Sequence, residues 1–152
     1  MSSKMFRPLL RLLKPSIPVS KKPMATMTDL PQRLNIHHTP LSLHSLNPIT
    51  GFARDGYCHA PSSDPGNHSI AAIVTDEFLN FSKDRGNDLT SIGLKGGCKW
   101  CLCVNRWMEA VNAYGKGELS KEGVPKVVPE ATGLRALEGT TKEELERWKV
   151  GK

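Results

Sequence analysis

No apolar run in the 152 residues approaches the ~20 needed to cross a bilayer as a helix. Aromatic residues are scarce at 6%, and an apolar fraction of 38% supports one modest core rather than two. No internal repeat appears, so a solenoid or array is excluded. Acidic residues are missing altogether from positions 1 to 28, where Lys4, Arg7, Arg11, Lys14, Lys21 and Lys22 stand. The formal charge of +6 therefore resides in this tail, and residues 29 to 152 balance 15 basic against 15 acidic side chains. A nucleic-acid surface built into the fold needs its own surplus of cations, so this distribution argues against nucleic acid as a partner. Cysteine is also sparse, with four residues, yet three of them crowd into Cys98-Lys99-Trp100-Cys101-Leu102-Cys103.

Residues 1 to 28 combine Leu9, Leu10, Leu12 and Leu13 with cations and hydroxyls. That composition is the one expected of a mitochondrial presequence, and Arg11 interrupts the apolar stretch a secretory signal requires. The expected destination is the mitochondrial matrix. The alternative is a cytoplasmic form begun at Met24 or Met27, which lacks the cations.

The remainder, 29 to 152, reads as a single domain. Residues 29 to 50 have no helical or strand period and are expected to wrap the domain as an irregular arm. Asp55-Gly56 and Asp64-Pro65-Gly66-Asn67 are turn signals. The β-branched run from Ser69 to Val74 predicts a buried strand. Thr75 then offers an N-cap, Asp76 and Glu77 complement the helix dipole, and Gly86 suits the left-handed C-terminal position. A second helix is expected over Cys101 to Tyr114, with Trp107, Ala110, Val111 and Tyr114 on one face. Lys126 to Val128 predicts a short strand. A last helix is expected from Thr140 or Thr141, each with a glutamate three residues on. Strands and helices mixed in this way define an α+β domain: a small sheet with about three helices.

The cysteines admit several chemistries. Cys98, Cys101 and Cys103, with Cys58 and His59 upstream, supply soft ligands of the kind tetrahedral zinc takes. Adjacent Cys58 and His59 chelate poorly, however, and two cysteines ~200° apart on a helix cannot share a metal. In an extended lead-in, Cys101 and Cys103 share a face instead. As a helix-start residue flanked by Lys99 and Arg106, Cys101 is the candidate nucleophile, because nearby positive charge favours the thiolate. Buried packing is the alternative role, especially for Cys103. A reducing compartment argues against a structural disulfide. Gly93-Leu94-Lys95-Gly96-Gly97 has the makings of an anion nest but lacks the Gly-Lys-Ser/Thr ending of a P-loop. Lys95, Arg106 and Arg54 are the candidate cations of a pocket; alternatively Arg106 and Arg54 pair with acids such as Asp55 or Asp88. His68 is the histidine best placed for chemistry, although a turn histidine in this context ordinarily faces solvent.

Thr50-Gly51-Phe52-Ala53-Arg54-Asp55-Gly56-Tyr57-Cys58, Thr75 to Ser82, Gly86-Asn87-Asp88-Leu89, Gly93-Leu94-Lys95, Trp100 to Trp107 and Glu130-Ala131-Thr132 form an ordered set of blocks. Over residues 35 to 149 they resemble the domain of unknown function family 2237 (DUF2237), small proteins met mostly in bacteria. The resemblance carries no activity. It implies that Arg54, Asp55, Cys58, Asn87, Asp88, Lys95, Trp100, Cys101, Cys103, Arg106 and Trp107 belong together. Cys98 stands where the family pattern has an acid, which sets it apart from that group.

Two functions from different classes follow, with a third behind them. One is a small accessory or binding protein whose pocket holds an anionic small molecule or a partner segment, with arginine gripping the anion and Trp100 stacking. Another is a thiol enzyme using Cys101 with Arg106 or Lys95 as charge stabiliser. The last is a zinc-bound structural module. No resident cofactor is expected on the first reading.

Overall fold

The computed structural model describes residues 33–152. The presequence-like segment lies outside the described residues. Three antiparallel strands form one sheet in the order β2-β1-β3, with β1 at Ile70–Ile73, β2 at Lys99–Leu102 and β3 at Lys126–Val127. Three helices accompany it: α1 at Asp76–Asp84, α2 at Val104–Gly115 and α3 at Lys142–Arg147. The architecture is α+β, as the mixed order of elements predicts.

The helix ends follow from local chemistry. Thr75 Oγ1 accepts the Phe78 N–H at 3.0 Å, capping α1, and donates to the Gly123 carbonyl at 2.8 Å. Gly86 closes α1 with φ of +82°. Thr141 caps α3 by accepting the Glu144 N–H at 3.1 Å. Asp76 and Glu77 do more than meet the dipole: Asp76 accepts the Gly96 amide at 2.7 Å, and Glu77 accepts the Ser120 amide and hydroxyl. These two carboxylates tie α1 to the loops at either side.

One expectation is corrected. The stretch around Cys101 is a strand and not the start of a helix; α2 begins at Val104, with Cys103 in extended conformation before it. Tertiary pairing decides this. Ile70 lies opposite Leu102, Ala71 opposite Cys101 and Ala72 opposite Trp100, so the alternation Trp100/Leu102 against Cys101 is read by a sheet with two buried faces. Ile70, Ala72, Trp100, Leu102 and Val127 join Phe78, Leu79, Trp107, Leu145 and Trp148 in the main core. Ala71 and Cys101 face the other way and meet Cys58 and Ala131 in a small second cluster. Trp107 is fully buried, and its indole N–H donates to the Pro125 carbonyl at 3.1 Å.

The arm before β1 supplies the cover of that second face. Its described part carries isolated bridges and turns rather than regular elements, as its lack of period predicts. Among the described residues no helix is long and apolar enough to cross a membrane.

Candidate functional site

β2 is an edge strand, and Thr50 closes its free side: the Thr50 hydroxyl oxygen accepts the Cys101 N–H at 2.8 Å. From Thr50 the chain makes a tight turn back to Cys58. Gly51, at φ of +96°, faces the Tyr57 carbonyl so closely that a Cβ there has no room. Gly56, at +86°, lies against Leu43, Leu46 and the Ser45 carbonyl. Glycine at both ends sets the turn, and Cys58 anchors it.

The anchor is covalent. Cys58 and Cys101 form a disulfide, with both residues buried among Ala71 and Ala131. This corrects the expectation against a structural disulfide and gives Cys101 no free thiol in this structure. Sequence spacing carries no information on the 5.2 Å between the two Cα atoms, which arises only once the arm folds over the sheet. Two of the four cysteines considered for zinc are thereby joined to each other. Among the described residues no three His, Cys, Asp or Glu side chains converge as a metal site. Cys98 and Cys103 carry free thiols and are partly buried.

Above the disulfide lie two adjoining hollows. One, of about 380 Å³, is lined by Gly51, Phe52, Arg54, His68, Leu89, Ile92, Trp100 and Cys101. The other, of about 160 Å³, shares His68, Leu89, Trp100 and Cys101 and adds Asn87, Cys103 and Arg106. Together they make a groove floored by β2.

Arg54 is the distinctive residue of its wall. Its backbone is left-handed at φ of +54°, a conformation that costs a non-glycine residue roughly 1–2 kcal/mol. Its guanidinium sits 5.0 Å from the Trp100 ring centroid, and Nη1 donates to the Gly51 carbonyl at 3.2 Å. Among the described residues no carboxylate pairs with it, so its remaining donors are available to the groove. Arg106, at the other end, is committed: Nη1 donates to Glu109 at 3.1 Å and to the Arg85 carbonyl at 3.3 Å.

The other predicted residues divide. Asn87 edges the groove, and its amide donates to the Ser82 hydroxyl at 3.0 Å. Asp88 organises the 3-10 turn Thr90–Ile92 by accepting from Thr90 and Ser91, and these bonds, led by the Thr90 hydroxyl, hold its carboxyl below the usual range. Asp55 accepts the Tyr57 N–H at 3.1 Å and faces a different hollow, with Arg33, Tyr57 and His59. Lys95 lines a third, shallow hollow with His44, Asn47 and Lys99, away from Arg54. The loop that carries it does not act as an open anion nest, because the Gly96 amide is already taken by Asp76 and the Gly97 amide by the Val74 carbonyl.

Sequence reasoning undervalued His68. Its ring Nδ1 lies 3.0 Å from both Oδ1 and Oδ2 of Asp64, a residue only 1% exposed. Asp64 also accepts the Gly66 amide at 3.0 Å and the His68 amide at 2.8 Å. Burial pushes this carboxyl upward, but the bonds from the His68 backbone and ring, the His68 charge and the Gly66 amide outweigh it and hold it below 3.8. The spacing Asp-Pro-Gly-Asn-His was the available signal, because a turn returns residue i+4 to the carboxylate at i.

Residues 34–149 match the family model described as "Uncharacterized protein conserved in bacteria (DUF2237)", and the chain belongs to that family. A comparison with curated proteins found no match.

Proposed function

We propose that the protein is a small binding protein whose groove holds the anionic group of a small molecule or partner segment at Arg54. The observation that carries this reading is Arg54 at the groove wall, left-handed in its backbone, with its guanidinium over the Trp100 ring and, among the described residues, no carboxylate partner. A residue kept in an unfavourable backbone conformation needs a compensating role, and the single carbonyl contact to Gly51 uses little of its donor capacity. The cation–π contact with Trp100 holds the guanidinium at the groove wall, where its planar fork suits bidentate contact with a carboxylate or phosphate. Leu89, Ile92 and Phe52 supply an apolar border for the rest of such a ligand.

A thermal-shift screen of phosphates and carboxylates tests this. A stabilising anion should lose its effect in Arg54→Ala and keep it in Lys95→Ala. A hit that survives Arg54→Ala contradicts the assignment.

The acid-free leader, residues 1 to 28, supports delivery to the mitochondrial matrix as part of the same proposal, and burial of the Cys58–Cys101 bond is what would shield it from a reducing compartment. Fusion of that segment to a fluorescent reporter should send it to mitochondria. Retention in the cytoplasm contradicts the address.

A further inference from the structure

We infer that His68 is the acid–base residue of the groove, with Asp64 as its positioning residue; the substrate class rests on the anion-site reading above. Neither Asp64 nor His68 has been given a role in the anion site, although His68 shares the groove lining with Trp100 and Cys101.

Three observations converge. The Asp64 carboxylate is buried and ionised, so it can only accept hydrogen bonds, and the proton of a neutral His68 ring must therefore sit on Nδ1. That leaves the Nε2 lone pair free. Gly66 makes room for the ring in this position: a Cβ on residue 66 would come within 2.5 Å of His68 Cε1. The side chain is 41% exposed, and it lines both hollows of the groove together with Trp100 and Cys101. Asp64 is itself fixed from behind, where Arg135 Nη1 donates to its backbone carbonyl at 2.9 Å. A buried carboxylate, a ring held by both its oxygens, and a second ring nitrogen with no protein partner among the described residues, on a side chain that lines the groove, form a proton-accepting arrangement.

The chemistry follows from Arg54 and His68, which line the same hollow. The ligand is an organic anion with a carboxylate or phosphate oxygen for Arg54 and a proton-bearing oxygen facing His68. The O–H bond of that group breaks, its electron pair stays on the oxygen, and the proton passes to Nε2. The imidazolium so formed is held by the carboxylate of Asp64, which remains ionised. The reverse step returns the proton.

Imidazole nitrogen NMR on the full chain, with inorganic phosphate as the probe, tests this. The neutral His68 ring should be the Nδ1–H tautomer. Asp64→Asn should mix the tautomers. Gly66→Ala, which leaves the carboxylate in place, should do the same by displacing the ring, so the test survives a poorly folded Asp64 variant. Phosphate should shift His68 Nε2 and slow its acylation by diethylpyrocarbonate at least several-fold, and Arg54→Ala should remove both effects. A neutral ring that is mainly Nε2–H overturns the dyad and leaves the anion site standing. An Arg54-dependent phosphate signal with His68 untouched overturns the acid–base role alone. If phosphate touches neither residue, both readings fall.

Discussion

Arg54 combines two tendencies that ordinarily exclude each other. A left-handed backbone favours glycine, and a stacked guanidinium demands arginine. Replacing Arg54 by glycine relieves roughly 1–2 kcal/mol of strain while losing a cation–π contact of about 0.5–1 kcal/mol and adding unfolded-state entropy of similar size. Arg54→Gly should therefore unfold in urea within about 1 kcal/mol of the parent, and Arg54→Ala should be the less stable of the two. The opposite order contradicts the strain argument. His44 provides a second prediction at this scale. It is buried, and its Nε2 lies 3.0 Å from the Ala72 carbonyl. Burial, with repulsion from Lys99, outweighs that carbonyl and holds its pKa below 6.5. The unfolded chain thus binds the proton more readily, so the contribution of His44 is complete above pH 6.5 and fades as pH falls below it. His44→Gln, which keeps an N–H for Ala72, should flatten the loss of stability on that side. An unchanged slope contradicts the assignment.

Among the elements, α1 and α3 were legible because their signals are local: Thr75 and Thr141 each cap through their own hydroxyl, and no distant residue is required. β2 was not. Cys-Lys-Trp-Cys-Leu-Cys-Val satisfies a helix start as well as a strand, and only the pairing of Cys101 with Ala71 decides between them. The site divides along the same line. The blocks around Arg54 and Trp100 come together at one hollow, but Lys95 and Asp55 belong to other hollows because loop direction, not sequence proximity, places them. The pairing of His68 with Asp64 depends on the turn at Asp64-Pro65-Gly66-Asn67, which was legible, and on its return to His68, which was not followed through. The cap predicts its own test: Thr75→Ala should cost about 1 kcal/mol or somewhat more, since the hydroxyl also serves Gly123. A cost near zero in urea unfolding would show that the packing of Phe78 and Leu79 and the carboxylate ties of Asp76 and Glu77 hold α1 without the cap.

For the molecule as a whole, the disulfide joins the arm to the sheet across a separation of 43 residues. A loop of that length restricts the unfolded chain by about 4 kcal/mol in the chain-entropy account. Both sulfur-bearing residues are almost wholly buried, at 0% and 2% exposure, so reducing agents reach them only when the fold opens. Acid-quenched differential alkylation of the native protein in a dithiol should therefore label Cys103 and Cys98 well before Cys58 and Cys101. The joint change Cys58→Ala with Cys101→Ala should lower stability by as much as about 4 kcal/mol. Early labelling of Cys101 in the folded protein contradicts a protected bond. That bond, the Thr50 contact to β2 and the two glycines together hold Arg54 over Trp100, and the groove is their joint product. The most direct test is a backbone-amide chemical-shift map recorded while a stabilising phosphate or carboxylate is added. Shifts concentrated at Gly51, Arg54, His68, Trp100 and Cys101, and absent in Arg54→Ala, are the predicted result. Shifts gathered instead around Lys95 and Gly97, or scattered over exposed lysines, would contradict an anion site in this groove.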